Sequence, residues 1–263
     1  MNEPDPSVFD DRIDRWCEYA ESPWGRIRFG VVRHTLERVL AKLGPGPLRI
    51  LDVGGGDGRD SVPLARLGNQ VTILDTSERM LAMAADEAHS HGVSEHLRTI
   101  AGSLDDAVRV AGDAYDIVLC HFLLQYRPDT VRDVRTLTGL VRPGGMLSLI
   151  APNPNGGVLA KLVREGPDRA LAELEPDTAH AVTFDWPVRK ITDEEARAAI
   201  ESAGCTVLAQ YGGRCANDLL VDNDPKYDDA YFSRLEQLEL ALCDRPPFNR
   251  IGMFWQLVAQ RDG

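Results

Sequence analysis

The chain has 263 residues and carries 29 basic against 41 acidic side chains, which gives a formal net charge of −12. This charge argues against broad, non-specific binding to nucleic acid, which depends on lysine and arginine neutralising phosphates. No apolar run reaches the ~20 residues that a membrane helix needs, and the acidic start of the chain is unlike a secretory signal. The five cysteines are far apart and form no C-x-x-C pair, so we predict reduced thiols, a cytoplasmic location and no metal site.

Residues 1–46 precede the first predicted strand and contain two stretches with helical periodicity, Ser7–Tyr19 and Val31–Leu43. Both stretches predict amphipathic helices. Since ligands bind at the carboxyl ends of parallel strands, where we expect this segment to lie, we interpret it as a helical lid.

The first predicted strand leads into a cluster of glycines. Residues 48–53 form an apolar run that contains Asp52, and Gly54, Gly55, Gly56 and Gly58 follow directly. Glycine lets the backbone approach a ligand closely, and a turn between a strand and a helix offers free N–H groups. The next apolar run, 71–74, ends at Asp75, whose carboxylate can accept hydrogen bonds from a ribose diol. The pair of features predicts a site for a nucleoside-containing cofactor.

The glycine spacing separates two classes of cofactor. A dinucleotide fingerprint requires G-x-G-x-x-G, and its third glycine would fall on Arg59. The spacing of Gly54, Gly56 and Gly58 is G-x-G-x-G instead, with Asp52 two residues before the first glycine. This loop resembles motif I of the class I S-adenosylmethionine-dependent methyltransferases.

The rest of the chain alternates between predicted strands and helices. Strands are predicted at 48–53, 70–74, 97–101, 115–121, 145–151, 205–211 and 252–260, and helices at Ser77–His91, Thr130–Val141 and Asp193–Ala203. This alternation predicts an α/β fold with helices on both faces of a sheet. We expect a Rossmann-like, seven-stranded, mostly parallel sheet whose last strand is antiparallel and lies at the edge.

We therefore expect a single methyltransferase domain over residues 1–263. Its predicted parts are the lid at 1–46, a cofactor-binding half at 47–151, a cap insertion at 152–190 and a C-terminal half of the sheet at 191–263 with a helical excursion. The cap is long for a connection, and loops of that length are usually functional.

Four stretches extend the resemblance to a narrower family, the bacterial tRNA 5-carboxymethoxyuridine methyltransferases. They are Gly25–Arg28, Leu51–Gly58, His121–Tyr126 and Val141–Leu149. The similarity is colinear from about residue 8 to residue 260. It implies S-adenosyl-L-methionine as cofactor, S-adenosyl-L-homocysteine as product, and methyl transfer to a carboxylate on a wobble uridine.

The same resemblance implies site residues. Arg28 is expected to meet the methionine carboxylate of the cofactor, and His121 to lie beside the reacting methyl group. The glycine loop would comprise Asp52, Gly54, Gly55 and Gly56, with Asp75 on the ribose hydroxyls and Leu104 and Asp105 flanking the adenine.

The cap departs from the tRNA-acting pattern, in which it tends to be rich in lysine. Residues 165–190 hold six acids, Glu165, Asp168, Glu173, Glu175, Asp177 and Asp185, and only three bases, Arg169, Arg189 and Lys190. Because this excess of acidic side chains disfavours the binding of phosphate groups, we predict a small acidic metabolite or a peptide as acceptor. The alternatives are tRNA, and a protein that binds S-adenosylmethionine without catalysis. The sequence does not predict the oligomeric state.

Two mechanisms follow from the nature of the acceptor. A carboxylate is ionised at pH 7 and needs no general base, but it needs a cation to orient it. Arg214 is the candidate, because a planar guanidinium binds a carboxylate through two hydrogen bonds. If the acceptor is a hydroxyl or an amine, His121 becomes the candidate base.

Overall fold

A computed structural model describes residue 5, residues 7–175 and residues 177–263. In these residues the chain forms nine strands: β1 (Arg49–Val53), β2 (Gln70–Asp75), β3 (Leu97–Ala101), β4 (Tyr115–His121), β5 (Val141–Pro152), β6 (Thr178–Ala181), β7 (Trp186–Arg189), β8 (Cys205–Gly213) and β9 (Phe254–Arg261). Seven of them form one sheet in the order β3-β2-β1-β4-β5-β9-β8, while β6 and β7 pair separately. The predicted seven-stranded sheet is confirmed.

Eleven α-helices accompany these strands within the same residues. They are α1 (Ser7–Asp10), α2 (Ile13–Glu21), α3 (Pro23–Leu43), α4 (Val62–Arg66), α5 (Glu78–Ser90), α6 (Ala107–Ala111), α7 (Thr130–Leu140), α8 (Pro154–Glu165), α9 (Pro167–Leu174), α10 (Asp193–Ser202) and α11 (Asp229–Leu242). None of the described helices is both long and apolar enough to span a membrane.

The first five strands of the sheet are parallel, and β9 runs against them. Ile50 of β1 lies opposite Val71 of β2 and Ile117 of β4. β9 is antiparallel to both of its neighbours, β5 and β8, which confirms the predicted direction. The predicted edge position is wrong, because β9 lies inside the sheet and β8 forms the edge. Six consecutive buried residues in β9 and the mixed exposure of β8 fit these positions.

Two apolar layers cover the two faces of the sheet. Successive residues of a strand point to opposite faces, so Ile50 packs in one layer and Leu51 in the other. The first layer includes the buried face of α3, and the second includes α7 and α10. The sheet is therefore buried on both sides, and its open end at the carboxyl termini of β1, β2 and β4 is left for a ligand.

The N-terminal helices differ from the prediction in their bounds. The expected helix Ser7–Tyr19 is two helices, α1 and α2, which a turn at residues 11 and 12 separates. The expected helix Val31–Leu43 begins eight residues earlier, at Pro23. There the Ser22 hydroxyl accepts a hydrogen bond from Gly25 N at 3.1 Å, and Pro23 occupies the first helical position. A serine cap followed by proline is a start signal, but two glycines in the first turns weaken the helical pattern.

The cap contains regular structure that the sequence did not predict. Helices α8 and α9 come first, and the antiparallel hairpin β6–β7 follows, with His180 opposite Pro187. Residues 182–185 form the tip of this hairpin. The tip lies over the carboxyl end of the sheet, where it meets the N-terminal helices.

Candidate active site

The glycine loop that follows β1 cannot accept side chains at its central positions. Gly54 and Gly56 have φ values of 74° and 53°, a region that favours glycine. A Cβ atom on Gly55 would lie 2.6 Å from a carboxylate oxygen of Asp52. The Gly54 N–H donates to the carbonyl of Leu74 at 2.7 Å, which ties the loop to the end of β2. The loop is thus bare backbone, shaped for close approach of a ligand.

Asp52, the penultimate residue of β1, and Asp75, the last residue of β2, lie beside this loop. Asp52 is buried and accepts a hydrogen bond from the Ser61 hydroxyl at 2.7 Å. Burial raises its pKa to about 6. The Asp75 carboxylate accepts from Gly56 N and from Ser77 N, each at 2.9 Å, and burial raises its pKa as well. Both carboxyl groups line one cavity with the glycine loop.

This cavity has a volume of about 590 Å³, within the range of about 300–1,000 Å³ that is usual for small-molecule sites. Its floor is the carboxyl end of the sheet. Its roof comes from the predicted lid and cap, through Phe9, Trp16 and the hairpin-tip residue Phe184. The ring centroid of Phe184 lies 5.0 Å from Phe9 and 5.9 Å from Trp16. Lid and cap therefore meet through aromatic contacts above the cavity.

His121 ends β4 on the cavity wall, and both of its ring nitrogens have partners. Nδ1 lies 2.8 Å from Asp60 Oδ2, and Nε2 lies 2.9 Å from the Ser148 hydroxyl. The side chain is only 3% exposed. No ring nitrogen of His121 is left over for a ligand in this arrangement.

Arg28 is fixed on the same wall. Its two terminal nitrogens donate to the two carboxylate oxygens of Asp60, each at 3.0 Å. The guanidinium also lies over the rings of Phe29, at 4.1 Å, and Phe122, at 5.0 Å. Burial alone would raise the pKa of Asp60, but Arg28 and His121 outweigh it and lower that pKa to about 2.

Arg214 reaches the cavity from the loop after β8. Its Nε and Nη2 donate to the two oxygens of Asp218 at 2.8 and 2.6 Å. Burial acts to lower the pKa of Arg214, but the Asp218 carboxylate raises it above the usual range. The loop is held by Glu239, which accepts hydrogen bonds from the backbone N–H groups of residues 215, 216 and 217. Arg214 is thus a permanently charged group on a fixed loop.

Nine of the ten residues predicted for the site line this cavity: Arg28, Asp52, Gly54, Gly55, Gly56, Asp75, Leu104, His121 and Arg214. Asp105 is the exception. Its side chain is 44% exposed and pairs with Arg127 at 3.1 Å and Arg132 at 2.7 Å. The single turn that points Leu104 into the cavity directs the next side chain towards these two arginines, so the structure does not bring Asp105 to the site.

The sequence did not single out three features of the cavity. Asp60 lies two residues beyond the glycine loop and binds both Arg28 and His121. Phe9 and Phe184 belong to segments predicted only as lid and cap. Gln125 is buried and lines the cavity, with Nε2 donating to Phe122 O at 2.7 Å. Its Oε1 has no hydrogen-bond partner among the described residues.

Comparisons with known proteins agree with this geometry. A methyltransferase domain model matches residues 50–145. The tRNA 5-carboxymethoxyuridine methyltransferase of Escherichia coli O157:H7 is 29% identical over 96% of this chain and 95% of its own length. The ubiquinone biosynthesis O-methyltransferase of Methylobacterium nodulans is 32% identical over 79% of this chain and 86% of its own. The solved magnesium protoporphyrin IX methyltransferase of Synechocystis, with S-adenosylhomocysteine bound, superposes with a TM-score of 0.65 at 17% identity, and 98% of each chain is covered.

Proposed function

Since the chain belongs to the S-adenosylmethionine-dependent methyltransferases, we propose that it methylates a carboxylate oxygen of a small acidic metabolite or a peptide. The observation that carries this proposal is the pairing of His121. Both ring nitrogens are hydrogen-bonded inside the protein, so the imidazole has no free position to take a proton from an acceptor. A carboxylate is ionised at pH 7 and has no proton to lose.

The residues of the cavity fit the cofactor. When bound, S-adenosylmethionine supplies a methyl group on a positively charged sulfur. We expect Asp75 to accept from the ribose hydroxyls, because its carboxylate lies in the cavity wall beside the glycine loop. Leu104 offers an apolar surface for the adenine, and Arg28 retains N–H groups that Asp60 does not use for the methionine carboxylate. Asp52 underlies the loop and supports Gly55.

Arg214 is the group that we expect to orient the acceptor. A guanidinium has five N–H donors, and Asp218 engages two of them. The Tyr19 side chain is a further hydrogen-bond partner of the guanidinium, and we expect the remaining N–H groups to bind a carboxylate of the acceptor in the cavity. Because methyl transfer from sulfur is an in-line displacement, holding the attacking oxygen on the S–CH₃ axis supplies much of the rate. The free Oε1 of Gln125 adds a place for an N–H or O–H group of a ligand.

The cap supports an acceptor other than tRNA. Each of its five cations is paired with a carboxylate: Lys161 and Arg169 with Glu165 at 2.7 and 3.1 Å, Arg164 with Asp218 at 2.9 Å, Arg189 with Glu195 at 3.3 Å and Lys190 with Glu173 at 2.9 Å. The neighbouring carboxylates offset the positive charge that would otherwise attract phosphates. The tRNA wobble uridine is the second candidate, because the Escherichia coli relative with tRNA in its name matches almost the whole chain. A protein that only binds the cofactor would form no S-adenosylhomocysteine with any acceptor.

The test uses methyl-labelled S-adenosylmethionine with three separate acceptor pools: small metabolites, peptides and bulk tRNA. A carboxyl methyl ester releases methanol in mild alkali, whereas a methyl ether or an N-methyl group does not. We expect an alkali-labile product from the metabolite or peptide pool. An alkali-stable product would contradict the carboxylate acceptor, and labelling of tRNA alone would establish the second candidate.

Two variants separate the mechanisms once the product is known. Arg214→Ala should raise KM strongly, because the acceptor loses its orienting cation, while His121→Gln should cost only a modest factor. Loss of a general base would instead cost about 10²–10⁴-fold. The rate of methyl transfer should be flat from about pH 6 to 8, since a carboxylate acceptor has no proton to lose over this range. A rate that rises over this range, with an inactive His121→Gln, would contradict the proposal.

A further inference from the structure

A chain of buried hydrogen bonds connects helix α3, the sheet and the cavity wall. Thr35 Oγ1 lies 2.7 Å from Gln256 Oε1, Gln256 Nε2 lies 3.0 Å from Ser148 Oγ, and Ser148 Oγ lies 2.9 Å from His121 Nε2. His121 Nδ1 completes the chain at Asp60. The side chains of Thr35, Ser148 and Gln256 are fully buried. The hydrogen-bonded chain is therefore shielded from solvent along these three residues.

The direction of the hydrogen bonds follows from the two ends. Asp60 is ionised, because both of its carboxylate oxygens accept hydrogen bonds from the Arg28 guanidinium, and an ionised carboxylate can only accept. The proton between Asp60 and His121 is therefore on Nδ1. At the other end, the Gln256 amide donates to Ser148 Oγ. The Ser148 hydroxyl then has one acceptor for its own proton, which is Nε2 of His121. Every donor points towards Asp60.

We propose that Asp60 is a positioning residue, which fixes His121 as the neutral Nδ1–H tautomer and offsets the charge of Arg28 beside the reacting methyl group. This inference rests on the proposed function, in which the cavity binds S-adenosylmethionine. The charged groups that face His121 are Asp60, Asp52 and Arg28. An imidazolium would require the Ser148 hydroxyl to turn away from Nε2 and would place a second cation next to the sulfonium.

The arrangement also discriminates between cofactor and product. S-adenosylmethionine carries a positive sulfur, and S-adenosylhomocysteine carries a neutral one. With Asp60 ionised and His121 neutral, the Arg28–Asp60–His121 wall has no net charge. Without the carboxylate, Arg28 would repel the sulfonium but not the thioether, because charges interact strongly where little water separates them.

The first measurement determines the tautomer of His121 in the wild-type protein. ¹⁵N NMR of the labelled wild-type protein at pH 7, without ligand, reports which nitrogen of each of the six histidines carries hydrogen. The His121 signals are identified by their loss in His121→Gln. We expect one proton, on Nδ1. A proton on Nε2, or protons on both nitrogens, would overturn the inference whether or not the cofactor binds.

The second measurement compares affinities by titration calorimetry. Asp60→Asn should lower the affinity for S-adenosylmethionine, relative to that for S-adenosylhomocysteine, by about tenfold or more. A tenfold change corresponds to roughly one pKa unit of charge interaction. The control is Asp133→Asn, which removes an equally buried partner of another arginine, Arg127. An unchanged ratio in folded Asp60→Asn would overturn the inference. If neither S-adenosylmethionine nor S-adenosylhomocysteine bound to the wild type, that result would instead contradict the proposed binding of the cofactor in the cavity.

Discussion

Asp75 is held by two backbone N–H groups on the cavity wall, the position at which a ribose would meet it. We expect Asp75→Ala to weaken the binding of S-adenosylmethionine by about 1–3 kcal/mol, the scale of a hydrogen bond to a charged group. Titration calorimetry measures the change, with Asp86→Ala as control, since Asp86 is exposed on α5. Equal affinities of Asp75→Ala and the wild type would show that another residue holds the ribose.

Asp52 makes the stability of the protein depend on pH. Its folded pKa of about 6 is above the ordinary value of about 4, so the folded state binds this proton more tightly. The stabilisation from Asp52 is present below about pH 4 and is lost as the pH rises to about 6. The loss amounts to at most about 3 kcal/mol, at 1.36 kcal/mol for each pKa unit.

Asp52→Asn should remove this dependence. The free energies of unfolding from urea titrations at pH 4, 5, 6 and 7 provide the measurement. We expect the stability of the wild type, relative to Asp52→Asn, to fall between pH 4 and pH 6 and then stay level. A difference that stays constant over this range would mean that Asp52 titrates normally.

The site could be predicted from sequence where one residue type alone satisfies a local rule. Gly54 and Gly56 need a positive φ, and Asp75 ends the strand beside them. The spacing of these residues in the sequence therefore predicts the glycine loop and the acidic residue next to it. Asp60 could not be predicted in the same way, because its partners Arg28 and His121 are 32 and 61 residues away. Asp105 was misplaced for a related reason: a single helical turn decides which of two neighbouring side chains faces the cavity.

The roof of the cavity is the place where the lid and the cap meet. Phe9 of α1 and Trp16 of α2 contact Phe184 at the tip of the hairpin β6–β7, and an exposed ion pair joins Arg12 and Asp185 at 3.3 Å. Such pairs of exposed charges contribute little. The aromatic contacts therefore keep the lid and the cap together, and Phe184 touches both Phe9 and Trp16.

We expect Phe184→Ala to speed cofactor dissociation roughly tenfold, because each aromatic pair contributes about 0.5–1.5 kcal/mol. Stopped-flow displacement of S-adenosylhomocysteine measures the rate. Leu174→Ala serves as control, since Leu174 is in the same cap but 61% exposed. Equal dissociation rates in Phe184→Ala and the wild type would mean that the roof does not limit release.

Elements were predictable where their pattern is strong and local. The sequence predicts a helix at Ser77–His91, and α5 spans Glu78–Ser90 with Ser77 as its N-cap and His91 as its C-cap. The hairpin β6–β7 was not, because its four-residue strands are too short for periodicity to show. The order of β8 and β9 in the sheet could not be predicted from the sequence either, because packing, and not spacing along the chain, decides which distant segments pair.

The whole molecule carries a net charge of −12, and its cap cations are paired. We expect bulk tRNA to bind with a Kd above about 10⁻⁶ M at physiological salt, which is the tight end of the range for non-specific binding. Filter binding over a series of salt concentrations tests this, with a basic RNA-binding protein as positive control. Tight binding whose affinity falls steeply as salt rises would make tRNA the leading acceptor.

The position of β9 has a consequence for how the protein is made. In the part of the chain that the structure describes, β8 is hydrogen-bonded in the sheet through β9 alone, and β9 is also the second partner of β5. Until residue 261 has left the ribosome, the nascent chain carries an open edge on β5 and a β8 segment with nothing to join. Exposed strand edges template aggregation, and incomplete domains expose them longest. Ribosome stalling or premature termination before residue 254 should therefore yield insoluble fragments, which chaperones must hold.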